Sequence, residues 1–183
     1  MIDDGITTEE QYSIATNANN LRVEAEKRSQ ADILIAAGWS YSRMGMALLR
    51  LHSEYDGVEH PALGTKIYLH EMALMLGKLK TLPEVRARLL ENVGTWKRKV
   101  QAPEDLVADV IMWWLDSVCP VCHGAQRDRA MHNKAICPSC RGSGKRKLPQ
   151  GEAGRKLANL IDDSLSAARS SIKKRLHQSR KSV

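Results

Sequence analysis

Hydrophobic positions recur at three- and four-residue steps along most of the first 117 residues, which is the signature of amphipathic helices. Ile33, Leu34 and Ala37, then Met44, Ala47, Leu48 and Leu51, place a helical stretch from Leu21 to Leu51 with a break near Gly38. Ser53 to Gly64 reads as a loop, with Asp56-Gly57 and Pro61 as turn residues. A second helix is expected from about Lys66 to Leu79, apolar over a wide face and therefore buried. Pro83-Glu84 and Pro103-Glu104-Asp105 each look like a helix start. Proline fits the first turn, where its missing N–H costs nothing, and carboxylates favour the positive end of the helix dipole. These two helices carry Val85, Leu89, Leu90, Val93 and Trp96, then Leu106, Val107, Val110, Ile111, Trp114 and Leu115. Residues 1–19 are polar with little apolar pattern and are expected to form a disordered or short arm. No strand is expected before residue 118.

The pattern changes after residue 148. From Glu152 onward it predicts two short helices. Ala153, Leu157, Leu160 and Ile161 line the first, and Leu165, Ala168, Ile172 and Leu176 line the second. Ile161-Asp162-Asp163-Ser164 is read as the turn between them, with Asp163 or Ser164 capping the second helix. The expected fold class is mainly α: a helical bundle, an inserted four-cysteine zinc-binding loop and a C-terminal helix-turn-helix-like pair. The expected divisions are an arm over 1–20, a helical body over 21–117, a zinc module over 118–147 and a basic helical segment over 148–183.

Composition supports helices. The chain of 183 residues contains no Phe, so its core draws on Leu, Ile, Val, Ala and Met with four Trp. No run of 18 or more apolar residues is present to span a membrane. The segment Met1–Gly5 lacks the basic-then-apolar order of a signal peptide, and a cytoplasmic location is expected.

The four cysteines form two Cys-x-x-Cys pairs, Cys119/Cys122 and Cys137/Cys140, with 14 residues between the pairs. Each pair makes a tight knuckle whose sulfurs face one ion, and two knuckles complete a tetrahedron of thiolates around a zinc ion. Gly124 and Gly142 follow their pairs at the same offset, and Pro120 and Pro138 stiffen both turns. Four thiolates fill the coordination sphere, so one structural zinc is expected rather than a catalytic one. There is no Gly-rich phosphate loop, nucleophile elbow or His-Glu-x-x-His, and no enzyme is expected. His123 and His132 near the cysteines, and His52, His60 and His70 elsewhere, are read as surface or helix-end residues.

Charge is unevenly spread. Residues 1–110 hold 13 Lys+Arg against 16 Asp+Glu, a net −3, whereas residues 111–183 hold 15 against 5, a net +10. A basic region beside a zinc site points to double-stranded DNA as a partner. The candidate DNA contacts are Arg141, Lys145, Arg146 and Lys147 after the last cysteine, then Arg155, Lys156, Ser166, Arg169, Lys173 and Lys174 on the two expected helices. Arg169 and Lys173 are candidates for bases or phosphates, while Lys174 and Arg175 suit phosphates. A second helix-turn-helix candidate lies over Gln30–Met46, with Gly38 suited to the turn. The alternative for each is a helix docked on the bundle with a solvated face.

The chain resembles the lambda-type phage Q proteins, which are late-gene transcription antiterminators. The resemblance lies in Asp32–Gly38 with Met44–Leu49, in the two cysteine pairs with their glycines, and in the Pro149 break followed by basic helical sequence. It implies a factor that binds a DNA element at a late promoter. Such a factor joins RNA polymerase, touching the sigma factor and the β flap, and carries it through pauses and terminators. Two other readings stand beside it. One is a plain DNA-binding repressor or activator. The other is a polypeptide-binding module, because Cys137-x-x-Cys140-x-Gly142-x-Gly144 matches the repeat of DnaJ-type cysteine-rich regions.

Overall fold

A computed structural model of the chain describes residues 7–18, 30–59, 68–127 and 136–179. Among these residues the fold is mainly helical, with seven helices, no strands beyond two isolated bridges, and four clustered cysteines. None of the helices is long and apolar enough to cross a membrane. The chain divides into two compact units.

The first unit contains α1 (Thr8–Thr16), α2 (Gln30–Gly38), α3 (Arg43–Asp56), α4 (Tyr68–Lys78), the start of α5 (Leu82–Gly94) and the part of α7 (Gly151–Ser179) from Leu160 onward. Helix α1 corrects the expectation of an unstructured arm. Thr7 accepts from the Glu10 amide at 3.2 Å and its own amide donates to Glu10 Oε2 at 2.7 Å, a reciprocal capping box. Tyr12 and Ala15 then turn inward, and α1 packs on α2 and α3. The Thr7-x-x-Glu10 spacing was the signal for this helix in the sequence.

Helix α3 is the centre of this unit. Met46, Ala47, Leu48, Leu49 and Leu51 are buried, and each large side chain contributes about 1.5–3 kcal/mol by leaving water. Ser42 caps the helix by accepting from the Gly45 amide at 3.1 Å, and the same hydroxyl donates to the Ser164 carbonyl of α7 at 3.1 Å. The helix runs on through Ser53–Asp56, four residues read from sequence as loop. Buried Ser53 and Tyr55 hold that last turn in the core. Glu54 accepts from both the amide and the hydroxyl of Thr81, at 2.9 and 2.5 Å, and so ties the end of α3 to the start of α5.

The second unit contains the rest of α5 from Leu89, α6 (Pro103–Leu115), the cysteine segment, and α7 up to Asn159. Its core is Leu89, Val93, Leu106, Val107, Val110 and Ile111 with Leu157. Both proline start signals hold, since α5 begins at Leu82 beside Pro83 and α6 at Pro103. Trp96 is buried; its indole N–H donates to Asn92 at 3.0 Å and its ring lies 4.1 Å under the Lys156 ammonium.

The C-terminal helix-turn-helix-like pair is not formed, because Gly151–Ser179 is one helix of 29 residues. The expected turn at Ile161–Ser164 is helical. Leu157, Ile161, Leu165, Ala168, Ile172 and Leu176 continue one buried stripe through it at three- and four-residue steps. Ser164 does not cap a new helix; its hydroxyl donates to the Leu160 carbonyl at 2.8 Å, one turn back. The other candidate, Gln30–Met46, does have two helices joined by a short turn at Trp39–Ser42. However, most of α3 is buried, and Arg43 and Arg50 are its only Lys or Arg residues.

Candidate metal centre

Two knuckles fold onto each other within the second unit. Their sulfurs lie within 4.8 Å of one another, with Cys122 Sγ and Cys140 Sγ 3.6 Å apart. Cys119, Cys122 and Cys137 are buried, and Cys140 is partly so. The four cysteines can therefore hold a metal ion.

The geometry contains a duplication with an offset of 18 residues. Val118–Arg127 and Ile136–Lys145 superpose in pattern: Val-Cys-Pro-Val-Cys-His-Gly-Ala-Gln-Arg against Ile-Cys-Pro-Ser-Cys-Arg-Gly-Ser-Gly-Lys. His123 and Arg141 have φ of 49° and 50°, Gly124 and Gly142 have 82° and 81°, and Gln126 and Gly144 have 64° and 71°. The hydrogen bonds repeat as well. Ala125 N donates to Cys122 O at 2.9 Å, as Ser143 N does to Cys140 O at 3.1 Å.

Each knuckle also closes the other. Cys119 N donates to Gly144 O at 2.8 Å, and Cys137 N donates to Gln126 O at 3.1 Å. The bridges Val118–Lys145 and Arg127–Ile136 are the same pair exchanged. Such reciprocity is a local pseudo-two-fold. It was legible in the matched cysteines, prolines and glycines, but only the crossed bonding reveals that the halves are mutual partners.

Electrostatics differ between the thiols. Hydrogen bonding from the Cys122 amide, which outweighs burial, lowers Cys119 to about 6. Burial pushes Cys122 up to about 11. Burial also acts to raise Cys140, but amide donation led by Gly144, 3.3 Å from its sulfur, together with the neighbouring sulfurs, leaves it lowered. Backbone N–H groups thus point at the place where thiolate charge gathers.

The candidate DNA contacts fall into two groups. Arg141, Lys145 and Lys147 are exposed around the second knuckle. Arg146 is half-buried and acts as a clamp: its guanidinium bonds Asp116 and the Val118 carbonyl, its amide donates to Ser117 O, and its carbonyl accepts from the Trp113 indole at 3.0 Å. Arg155 is exposed, and Lys156 covers Trp96. These six belong to the second unit. Ser166, Lys173 and Lys174 are exposed, and Arg169 half-buried, in the first unit. His123 is exposed, while His60 and His132 lie outside the described residues. The Arg146 clamp had no signature in the sequence, since its partners Asp116 and Trp113 are about 30 residues away.

Compared with protein-family models, with characterised proteins and with solved structures, the chain matches none.

Proposed function

We propose that this chain is a zinc-stabilised, DNA-binding transcription factor that joins RNA polymerase as an antiterminator of the lambda-type phage Q kind. The observation that carries the reading is a four-thiol cluster followed directly by Lys145-Arg146-Lys147 and a 29-residue helix with several exposed cations. An all-sulfur donor set suits zinc. A tetrahedron with Zn–S bonds of about 2.3 Å has edges of about 3.8 Å. The 3.6 Å separation of Cys122 and Cys140 fits that edge. A bound zinc would offset two of the four thiolate charges and fix the two knuckles. It would have no open position for water, so its role is structural.

The basic residues then supply phosphate contacts. Because α7 is continuous, DNA meets the exposed side of one helix through Lys173 and Lys174; Arg141, Lys145 and Lys147 around the second knuckle are a separate set of candidate phosphate contacts. The partner polymerase and the late-promoter element come from the family resemblance. The test is a footprint of the zinc-loaded protein on late-promoter DNA over a salt series, followed by a polymerase read-through assay. A discrete protected site is expected. Changing Lys173 and Lys174 to Ala should lower the slope of log affinity against log salt by about 1.8, for two phosphates released. Equal binding to every duplex, or an unchanged slope, would refute it.

One observation favours polypeptide binding instead. Val118, Val121 and Ile136 on the knuckles are 48%, 47% and 69% exposed. Preferential binding of an unfolded protein over DNA would support that alternative.

A further inference from the structure

The turn joining α2 to α3 puts two aromatic rings into solvent. Trp39 is 65% exposed and Tyr41 is 82% exposed, with Ile35, also exposed at 61%, one turn earlier on α2. The chain exposes these rings on an anchored segment. Ser40 N donates to Ala37 O at 3.0 Å and Arg43 N to Tyr41 O at 3.1 Å, and the Ser42 hydroxyl reaches the Ser164 carbonyl. Arg175 of α7 joins the two rings. Its guanidinium carbon lies 5.9 Å from the Trp39 centroid and 5.5 Å from that of Tyr41, and it donates to the Tyr41 hydroxyl at 2.6 Å.

A surface cation–π contact is weak and does not offset leaving a Trp and a Tyr in water. The arrangement therefore suits an external partner. Further cations stand close to the rings in sequence. Lys174 adjoins Arg175, and exposed Arg43 follows Tyr41 by two residues. The acidic residues of this part of α7, Asp162 and Asp163, lie at least twelve residues up the helix, about 18 Å away. Aromatic faces interleaved with cations fit a polyanion carrying flat rings better than an apolar groove on a protein. In a duplex the base faces are already stacked on each other, so only unpaired bases present a free face to Trp39 or Tyr41.

We propose that Trp39, Tyr41 and Arg175 form a stacking surface for unpaired bases of a single-stranded nucleic acid, with neighbouring cations taking its phosphates. Trp39 and Tyr41 are not among the duplex contacts proposed above, although Lys174 is common to both surfaces, so the ring variants test this proposal by itself. The test is fluorescence anisotropy of the zinc-loaded full chain with a labelled oligothymidylate of about 12 nucleotides, within the range of single-strand sites. The late-promoter duplex is measured in parallel. Trp39→Ala and Tyr41→Ala should each weaken single-strand binding by about five- to fiftyfold and leave duplex binding unchanged. Tyr41→Phe, which keeps the ring, should stay within about threefold of the unaltered chain. Both rings are exposed, so these variants keep the fold, which circular dichroism checks. No single-strand binding by the unaltered chain would overturn the proposal and leave the surface to a protein partner. Full single-strand affinity in the Trp39→Ala/Tyr41→Ala double variant would also overturn it.

Discussion

Replacing Gly45 with Ala tests whether α3 and α7 meet as closely as described. Gly45 is buried in the first turn of α3. A Cβ there would overlap the Ser164 carbonyl oxygen and lie 2.7 Å from both Ala168 Cβ and Ser42 Oγ. The first obstacle is backbone of a packed helix, so it cannot rotate away. Overpacking of this kind costs about 1–3 kcal/mol, and the upper end applies against backbone. Moving α7 also loses the Ser42–Ser164 hydrogen bond, about 1 kcal/mol. Against this, Ala is the better helix former by about 0.8–1 kcal/mol. The net expectation is a destabilisation of about 2–3 kcal/mol. Gly77 supplies the control. It lies in α4 with nothing within 4 Å of an added Cβ, so Gly77→Ala should stabilise by about 0.5–1 kcal/mol. Urea unfolding followed by circular dichroism reads both as shifts in midpoint at constant slope. A neutral or stabilising Gly45→Ala would refute the close approach of the two helices.

Thr81→Val removes the hydroxyl bond to Glu54 from a buried position and should cost about 1.5–3 kcal/mol in the same unfolding experiment. A midpoint unchanged by that substitution would mean the Glu54 contact does not hold α3 to α5. Gly144→Ala should weaken zinc binding about tenfold or more, measured by competition with a chelator, because its Cβ would sit 3.1 Å from Gly124 O and 3.3 Å from Gln126 Cγ. Positive φ alone is not the reason, since Gln126 occupies the equivalent position at 64° with a side chain. Metal affinity should fall at least about tenfold per unit of acidification between pH 8 and 6, because a Cys122 thiol raised to about 11 must release its proton to bind. Below about 6 the fall should steepen as Cys119 also becomes protonated. Affinity independent of pH, read by the same competition, would contradict thiolate ligation. Chelation should unfold the knuckles and expose Cys119, Cys122 and Cys137 to thiol reagents, which a colorimetric assay counts.

Several elements were determined by the sequence alone, and all are local. The Cys-x-x-Cys spacing places two sulfurs on one knuckle whatever surrounds it, and the sulfurs of both pairs converge. Pro83 and Pro103 mark their helices because a proline's fixed φ and missing N–H act at the residue itself. The Thr7–Glu10 box is equally local, although it sits in a polar segment with little apolar pattern.

What tertiary structure decided depends on burial. Asp162-Asp163-Ser164 has the residues of a turn, yet α7 continues, because Ile161 and Leu165 on either side are both in the core and packing outweighs a weak local preference. The same cause turns a helix-turn-helix expectation into one long helix. Arg146 reads as a phosphate contact until Asp116 and the Val118 carbonyl come within reach of it. Trp39 reads as a core residue until the fold leaves it outside. Periodicity and spacing fix what neighbours along the chain can do, whereas the partner of a long charged or aromatic side chain is chosen by residues far away in sequence.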